Sequence, residues 1–210
     1  ETASPFALER WAAFFANFGQ FAKGFFYTLG ISIGALIVAL LLGLIFGAMS
    51  STHNKVLRGI SRVYVEIFQN TPLLVQFVVV FYGISILTDG HVMIPISLTA
   101  ILCVGVYTGA YISEIIRTGI EAVPKGQTEA ALSQGFTYAD TMRIIILPQA
   151  VRTILPPLTN QVVNLIKNTS TVAIISGADI MFTAKAWAYD TTNYVPAFAG
   201  AAFLYFIMCF

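Results

Sequence analysis

Three ionisable residues lie inside or at the edge of long apolar runs: Glu114, Arg117 and Lys167. A charged side chain at membrane depth is costly, so such residues are usually paired or functional. Arg117 follows Glu114 by three residues, a spacing at which the two side chains can neutralise each other on one helical face. The sequence leaves two interpretations open: charges that hold a helix bundle together, and charges that meet a polar solute.

Uncharged polar residues accompany these charges at helical spacing. Tyr107, Tyr111 and Glu114 fall on one face of a helix. A second set forms a polar stripe around Lys167: Asn160, Asn164, Lys167, Asn168, Thr169 and Ser170. Such a stripe faces a wet cavity or a neighbouring helix rather than lipid. We predict that both sets line a path for a polar solute, with hydrogen bonding between helices as the alternative.

The composition places the chain among membrane proteins. Of its 210 residues, 57% are hydrophobic and only 10% are charged, whereas about a quarter of an average soluble domain is charged. The net charge of +1 gives no reason to expect nucleic acid as a partner. Cys103 and Cys209 both lie in apolar runs, which disfavours a disulfide framework and offers no metal site. Because the chain begins at Glu1 rather than Met and ends within an apolar run, we expect it to be a piece of a longer protein.

The apolar runs predict an all-α membrane protein with about five spans. Roughly 20 apolar residues are needed for each helical crossing, and the alternation typical of a β-barrel is absent. The predicted spans are residues 24–50, 67–88, 92–116, 153–178 and 191–210. The fourth span contains Pro156 and Pro157, which predict a kink or an unwound turn. Three GxxxG pairs, Gly30/Gly34, Gly43/Gly47 and Gly105/Gly109, predict close helix packing.

The distribution of Lys and Arg predicts the orientation. Lys55, Arg58 and Arg62 lie between the first two spans, and four further basic residues lie between the third and fourth. Cytoplasmic loops carry the excess of positive charge. Both loops are therefore predicted to be cytoplasmic, which puts the N-terminal segment, residues 1–21, outside.

The second basic loop, residues 121–148, has the local signals of two short helices. Pro124 suits a helix start and Gly135 a helix end. The segment from Thr137 to Asp140 matches a capping box that opens a second helix, which we expect to end near Pro148. The pair predicts a compact knob with a small apolar surface, made by Ala130, Ala131 and Leu132. Composition alone leaves a second interpretation, an amphipathic loop on the lipid headgroups.

The spacing within this loop reproduces the EAA signature of ABC importer permeases. Glu129, Ala130 and Ala131 are followed by Gly135, and then by Ile145 and the Leu147–Pro148 pair. Three other segments resemble the subfamily that imports polar amino acids: "EIFQNTPLLVQ" (66–76), "GAYISEIIRTGIEAVPKGQTEAA" (109–131) and "LPPLTNQVVNLIKNTS" (155–170). The resemblance covers roughly residues 22–210. One departure is Gln69, where the subfamily pattern has Arg.

The resemblance implies a type I ABC importer permease fold in a multi-pass protein of the bacterial cytoplasmic membrane. It also implies that the EAA loop, with Glu129, Ala130, Ala131, Gly135 and Pro148, docks on a cytoplasmic ATPase subunit. This chain has no phosphate-binding G-x-x-x-x-G-K-[ST] motif, so it is expected to be a translocation subunit, without cofactor, whose partner binds ATP and Mg.

The implied complex contains two permease halves, identical or paralogous, and two ATPase subunits. An extracytoplasmic amino-acid-binding protein, free or fused before Glu1, is expected to deliver the cargo. Within that complex, Lys167 would meet the carboxylate of an amino acid and Glu114 its ammonium, while Asn164 and Asn168 supply hydrogen bonds. Two alternatives from other classes are an ion channel or secondary carrier subunit, and a membrane anchor that recruits a cytoplasmic protein.

Overall fold

The computed structural model describes Ser4 and residues 6–210, and within that part of the chain the regular structure is entirely helical. Of the predicted N-terminal segment, residues 1–3 and 5 lie outside the described residues. The chain forms two compact units. One contains the described residues up to Ala35 together with Leu73–Val104 and Val163–Phe210; the other contains Leu36–Pro72 and Gly105–Val162.

The helices follow one another in chain order. In the first half they are α1 (Leu8–Ala16), α2 (Phe18–Ser50), α3 (Lys55–Asn70), α4 (Leu73–Val78), a π-helical segment (Val79–Gly83), α5 (Ile84–Leu87) and α6 (Ile96–Glu121). In the second half they are α7 (Lys125–Ser133), α8 (Tyr138–Asp140), a second π-helical segment (Thr141–Ile146), α9 (Leu147–Asn168), a 3₁₀ segment (Thr169–Ile175), α10 (Ile180–Thr191) and α11 (Tyr194–Cys209).

Two described helices, α2 and α6, are long and apolar enough to cross a membrane individually. A third crossing passes that test only as a bent pair, α3 with Leu73–Leu87, whose axes differ by 99°. The apolar α11 has 16 residues and is shorter. The predicted all-α architecture is confirmed, while the number of five crossings stays a prediction.

The predicted second span, 67–88, includes an elbow that the apolar pattern does not reveal. Residues 67–70 belong to α3, and the next helix starts only at Leu73. Thr71 is extended, with φ −107° and ψ 127°, because the ring of Pro72 disfavours helical backbone at the preceding residue. The chain therefore turns sharply inside a stretch that is uncharged throughout.

The predicted fourth span, 153–178, also differs from the structure in its bounds. Helix α9 starts at Leu147 and ends at Asn168, and a 3₁₀ segment follows up to Ile175. Pro156 and Pro157 both lie within α9, so the turn that contains them is helical rather than unwound. Helix α10 occupies a stretch predicted as a loop, where Asp179 caps its start by accepting bonds from the backbone of Met181 and Phe182.

In the first unit an aromatic core joins the N-terminal helices to the C-terminal ones. Phe14, Phe21 and Trp187 are buried together, with ring centroids 4.8–6.0 Å apart. Asp179, which precedes the core residue Ile180, is fully buried, and the hydroxyl of Tyr205 donates to its Oδ2 over 3.1 Å. The predicted close packing is confirmed here at Gly34, whose added Cβ would lie 2.8 Å from Ile101.

In the second unit, glycines allow α2 and α6 to approach closely. A Cβ added at Gly43 would lie 2.4 Å from Ile112, and one added at Gly47 would lie 2.8 Å from Ile116. Helix α3 is fastened alongside by side chains that bond to backbone carbonyls: Ser61 to Phe46 and Tyr64 to Val106, each over 2.7 Å. These contacts fix α3 relative to α6. The charged residues of the candidate site lie on these two helices.

Candidate functional site

The loop between α6 and α9 has the predicted two-helix geometry. Helix α7 ends at Ser133, and Gly135 has a φ of +89°. The backbone N–H groups of Gly135 and Phe136 donate to the carbonyl oxygens of Leu132 and Ala131, at 3.0 and 3.2 Å. This pattern of a left-handed glycine with backward bonds is a common helix stop. The prediction that Gly135 ends the first helix is therefore confirmed.

The start of the second helix is also as predicted. Thr137 has extended backbone, and its hydroxyl accepts a bond from the backbone N–H of Asp140 over 3.2 Å. The same hydroxyl donates to the Asp140 carboxylate. The first bond satisfies one backbone donor that a helix start leaves unpaired. The carboxylate of Asp140 bonds to the hydroxyl of Thr137 rather than to its backbone N–H, so the described bonds form the Thr137 half of the predicted capping box.

The prediction that this helix ends near Pro148 is wrong. The chain remains helical from Tyr138 through a π-helical segment into α9, so Pro148 lies in the second position of α9. A proline has no N–H and its ring crowds the preceding turn, and the wider π-helical turn accommodates both effects just before it. The loop is therefore continuous with the long helix α9, and a displacement of the knob can be passed directly to that helix.

The loop packs on itself and leaves a mixed outer surface. Ala131 is buried, as are Thr141 and Ile146 on the π-helical segment that faces it. Glu129, Ala130 and Leu132 are exposed. The predicted small apolar surface of Ala130, Ala131 and Leu132 is therefore not formed as one patch: Ala131 packs inward, and the exposed Ala130 and Leu132 point to different sides of α7.

A cavity of about 700 Å³ lies beside α7, and its lining includes Lys125, Glu129 and Tyr138. His53, from the loop between α2 and α3, also lines it. The rings of His53 and Tyr138 meet edge to face with centroids 5.3 Å apart. This contact joins the two basic loops that the sequence places on one side of the membrane. No sequence spacing links His53 to Tyr138, so this contact is visible only in the structure.

A second cavity, of about 720 Å³, has a predominantly polar and charged lining. It is lined mainly by side chains from α3 and α6, among them Lys55, Arg58, Arg62, Glu66, Gln69, Glu114, Arg117 and Glu121. Glu114 is the one predicted path residue in this lining. The α3 side chains were not predicted as site residues, although the Arg62–Glu66 spacing of four residues is a recognisable helical ion pair.

The charges in this second cavity are organised by Arg117. Its Nε lies 3.0 Å from Oε2 of Glu114, its Nη2 contacts the other oxygen of Glu114, and its Nη1 lies 2.6 Å from Glu121. Arg62 pairs with Glu66 over 2.7 Å at a more exposed position. The mutual neutralisation of Glu114 and Arg117, one of the two open interpretations, is therefore present in this structure.

Gln69 has a structural role at the position where the subfamily pattern has Arg. Its Nε2 donates to the carbonyl oxygen of Ala110 over 3.2 Å. The amide thus ties the end of α3 to the middle of α6 while adding no charge to the cavity lining. Tyr107 and Tyr111 lie one turn apart on the same helix with their hydroxyl oxygens 3.1 Å apart, and neither lines this cavity.

The residues of the polar stripe around Lys167 are distributed over the two compact units. Asn160 belongs to the unit that contains Glu114, and Asn164, Lys167, Asn168, Thr169 and Ser170 belong to the other. Asn164 and Lys167 are exposed, and Lys167 forms no ion pair with any of the described residues. Thr169 and Ser170 donate to the carbonyl oxygens of Ile166 and Lys167, at 2.6 and 2.7 Å, so their hydroxyls are committed to the helix end. The assignment of the stripe to a substrate path stays a prediction.

Comparison with known proteins identifies the family. The family model described as "binding-protein-dependent transport system inner membrane component" matches residues 39–210. The probable glutamine ABC transporter permease protein GlnM of Bacillus subtilis (strain 168) is 38% identical over 197 residues, which cover 92% of this chain and 88% of that protein. The glutamate/aspartate import permease protein GltJ of Escherichia coli (strain K12) is 35% identical over 187 residues, covering 80% and 76%.

Solved structures agree with this match. A crystal structure of an amino acid ABC transporter with histidines has a TM-score of 0.87 at 32% identity, covering 95% of this chain and 92% of that one. Inward-facing MetNI methionine ABC transporter has a TM-score of 0.72 at 16% identity, covering 91% and 92%. The second likeness shows the shared fold alone.

Proposed function

The chain belongs to the family of inner membrane components of binding-protein-dependent transport systems, and we propose that it moves a polar amino acid into the cell as the permease of an ATP-driven importer. The observation that carries the proposal is the loop built around Gly135. It has the spacing of the EAA signature, exposes Glu129, Ala130 and Leu132, and is continuous with α9. Family membership favours this function over the channel, secondary carrier and anchor alternatives.

The proposed mechanism separates the source of energy from the path of the cargo. ATP and Mg are bound by a cytoplasmic ATPase subunit that receives the α7 knob in a groove. Because the knob is closed by a rigid glycine stop and capped on its second helix, it can move as one body between two positions. Its continuity with α9 supplies a direct route from the ATPase to the helix that carries Asn160, Asn164 and Lys167.

The proposed complex has two permease halves and two ATPase subunits. About five helical spans are few to surround a path for a polar solute, and two-fold pairs are the commonest symmetric assemblies of soluble chains. An extracytoplasmic binding protein, free or fused, delivers the amino acid. The N-terminal end is proposed to lie outside, since the basic loops on α3 and α7 then face the cytoplasm.

The path residues are proposed on chemical grounds. An amino acid presents a carboxylate and an ammonium, and both need partners where water is scarce. Lys167 forms no ion pair among the described residues and is available to the carboxylate, with Asn164 and Asn168 as hydrogen-bond donors. Arg117 pairs with Glu114 and Glu121 at the same time in this structure, so Glu114 becomes available to the ammonium only when the guanidinium releases its carboxylate.

Reconstitution tests the proposed function. The chain is placed in proteoliposomes with a candidate ATPase and binding protein, and both ATP hydrolysis and uptake of labelled polar amino acids are measured. We expect hydrolysis and uptake to rise together when loaded binding protein is added. Uptake that proceeds equally well without the ATPase would instead identify a channel or secondary carrier. ATP hydrolysis that does not respond to the substrate, without uptake, would favour a membrane anchor.

A further inference from the structure

The surface of helix α1 has three distinct faces. One face docks on the protein: Phe14 is buried against Gly200 of α11, and the guanidinium of Arg10 donates to the backbone oxygen of Thr192 over 2.9 Å. A second face carries Glu9 and Ala16, both exposed. The third face is apolar, with Leu8 exposed by 87% and Phe15 by 67%. A helix with separate protein, water and apolar faces is typical of a membrane interface.

The apolar face does not stop at the end of α1. Steps of three or four residues connect Leu8, Trp11, Phe15, Phe18, Ala22 and Phe26. This is the spacing of one helical face, and it is maintained across the single-residue break at Asn17. Of these residues, Leu8, Phe15, Phe18 and Phe26 are exposed. Helix α2 is one of the two described helices able to cross a membrane individually, and the exposed residues of α1 continue the spacing of the exposed Phe18 and Phe26 on α2.

The docking contacts set the depth of α1. Helix α2 has 33 residues and is about 50 Å long, more than the roughly 30 Å of a hydrocarbon core. Its first turns contain Gln20 and Lys23, whereas the residues from Gly24 to Ser50 are uncharged, so the first turns are the part expected outside that core. Phe14 nevertheless packs against Gly200, which lies in the second turn of α11. Helix α11 contains no charged residue. A helix that starts beyond the core yet reaches this apolar surface lies at the boundary between headgroups and acyl chains.

We propose that α1 is an interfacial anchor that inserts Leu8, Trp11 and Phe15 among the lipids of the leaflet at the N-terminal end of α2. Trp11 occupies the edge of the inserted face that borders the protein, with its ring centroid 6.3 Å from that of Phe14, and Trp is enriched at membrane interfaces. Glu9 stays in water on the opposite side. This proposal is independent of the cargo and of the ATPase, and it holds for either orientation of the chain.

Tryptophan fluorescence tests the proposal, because the chain has only two tryptophans, Trp11 and Trp187. Trp187→Phe leaves Trp11 as the sole emitter, and Trp187→Tyr provides a second background. The full chain is placed in nanodiscs whose lipids carry bromine either near the headgroup or near the end of the acyl chain. We expect strong quenching by the shallow bromine, weaker quenching by the deep bromine, and little quenching by aqueous iodide.

Matched variants connect the quenching to the apolar face. Phe15→Ser should lose most of the quenching by shallow bromine, whereas Ala16→Ser, on the exposed polar side, should keep it. Strong quenching by iodide without quenching by lipid would overturn the proposal, since Trp11 would then face water. Protection from both quenchers would overturn it as well, because a protein rather than lipid would then cover the apolar face. That protein could be a second copy of this chain or a binding protein.

Discussion

The backbone N–H of Phe136 donates to the carbonyl oxygen of Ala131 over 3.2 Å and closes α7 around Gly135. The bond requires the left-handed backbone of Gly135, with its φ of +89°. A Cβ added at this glycine would meet nothing within 4 Å. Any effect of substitution there reports the backbone conformation of the knob rather than a steric clash.

Gly135→Val is therefore expected to impair coupling without removing the chain from the membrane. Left-handed backbone costs an ordinary residue about 1–2 kcal/mol, and a β-branched residue adopts it least well. Gly135→Asn is the matched control, because Asn tolerates this conformation. The measurement is substrate-stimulated ATP hydrolysis of the assembled complex: low for Val and near normal for Asn. Equal activity in the two variants would show that the glycine stop is not needed.

Glu129→Lys is expected to weaken the ATPase partnership several-fold, because it reverses a charge on the exposed docking surface. Asp190→Lys, an equally exposed reversal at the end of α10, serves as the control and should assemble normally. Co-purification of the ATPase with each variant, over a range of salt concentrations, is the measurement. Loss of the ATPase in the control variant alone would place the docking surface elsewhere.

Arg117→Met is expected to destabilise the protein more than Glu114→Gln. Removing the guanidinium leaves two carboxylates without their partner, whereas Glu114→Gln removes one of two pairs and leaves no unpaired charge. For groups about one-third exposed we expect a loss of roughly 1–3 kcal/mol, between surface and buried pairs. Thermal unfolding in detergent gives the order of stability. The double variant should recover part of the loss, and strictly additive losses would mean that the two residues do not interact.

Lys167→Met is expected to raise the amino acid concentration needed for half-maximal uptake by about 10- to 100-fold. This is the factor for losing a hydrogen bond between charged groups, worth about 1.5–3 kcal/mol. Lys185→Met removes a similarly exposed charge from α10 and should leave uptake unchanged. The assay is uptake by well-assembled complexes of both variants. Unchanged half-saturation in Lys167→Met would remove this residue from the path.

The orientation is tested with single cysteines at Gly126 and His91, both exposed, after Cys103 and Cys209 are replaced by serine. A Cβ at Gly126 meets nothing within 4 Å. With a thiol reagent that does not cross membranes, intact cells should be labelled at position 91 and not at position 126. The reverse pattern would invert the proposed topology.

Much of the cytoplasmic loop could be predicted because its signals are local. The stop at Gly135 and the cap at Thr137 depend on residues within one turn, and both are present. The end of the second helix could not be predicted, since Pro148 is compatible with a helix when a π-helical turn precedes it. The apolar pattern was enough to predict the two long helices α2 and α6. It did not predict the 99° bend between α3 and Leu73–Leu87, because Thr71 and Pro72 are uncharged and do not interrupt the apolar run.

The candidate site was less accessible from sequence because it depends on contacts between distant segments. The Glu114–Arg117 pair could be predicted from spacing, while the third member, Glu121, was recognised only in the structure. In the sequence Gln69 is recognisable only as a departure from the subfamily pattern, because its bond to Ala110 spans 41 residues. The contact between His53 and Tyr138 is likewise made across the chain.

The central claim, that the Gly135 knob transmits ATP hydrolysis to cargo movement, is tested most directly in proteoliposomes that contain this chain, its ATPase and a binding protein. ATP hydrolysis and amino acid uptake are measured together for the wild type and for Gly135→Val. The account predicts that the wild type couples the two activities, whereas Gly135→Val stays assembled in the membrane yet loses both the stimulated hydrolysis and the uptake. Uptake that remains coupled to hydrolysis in Gly135→Val would contradict it.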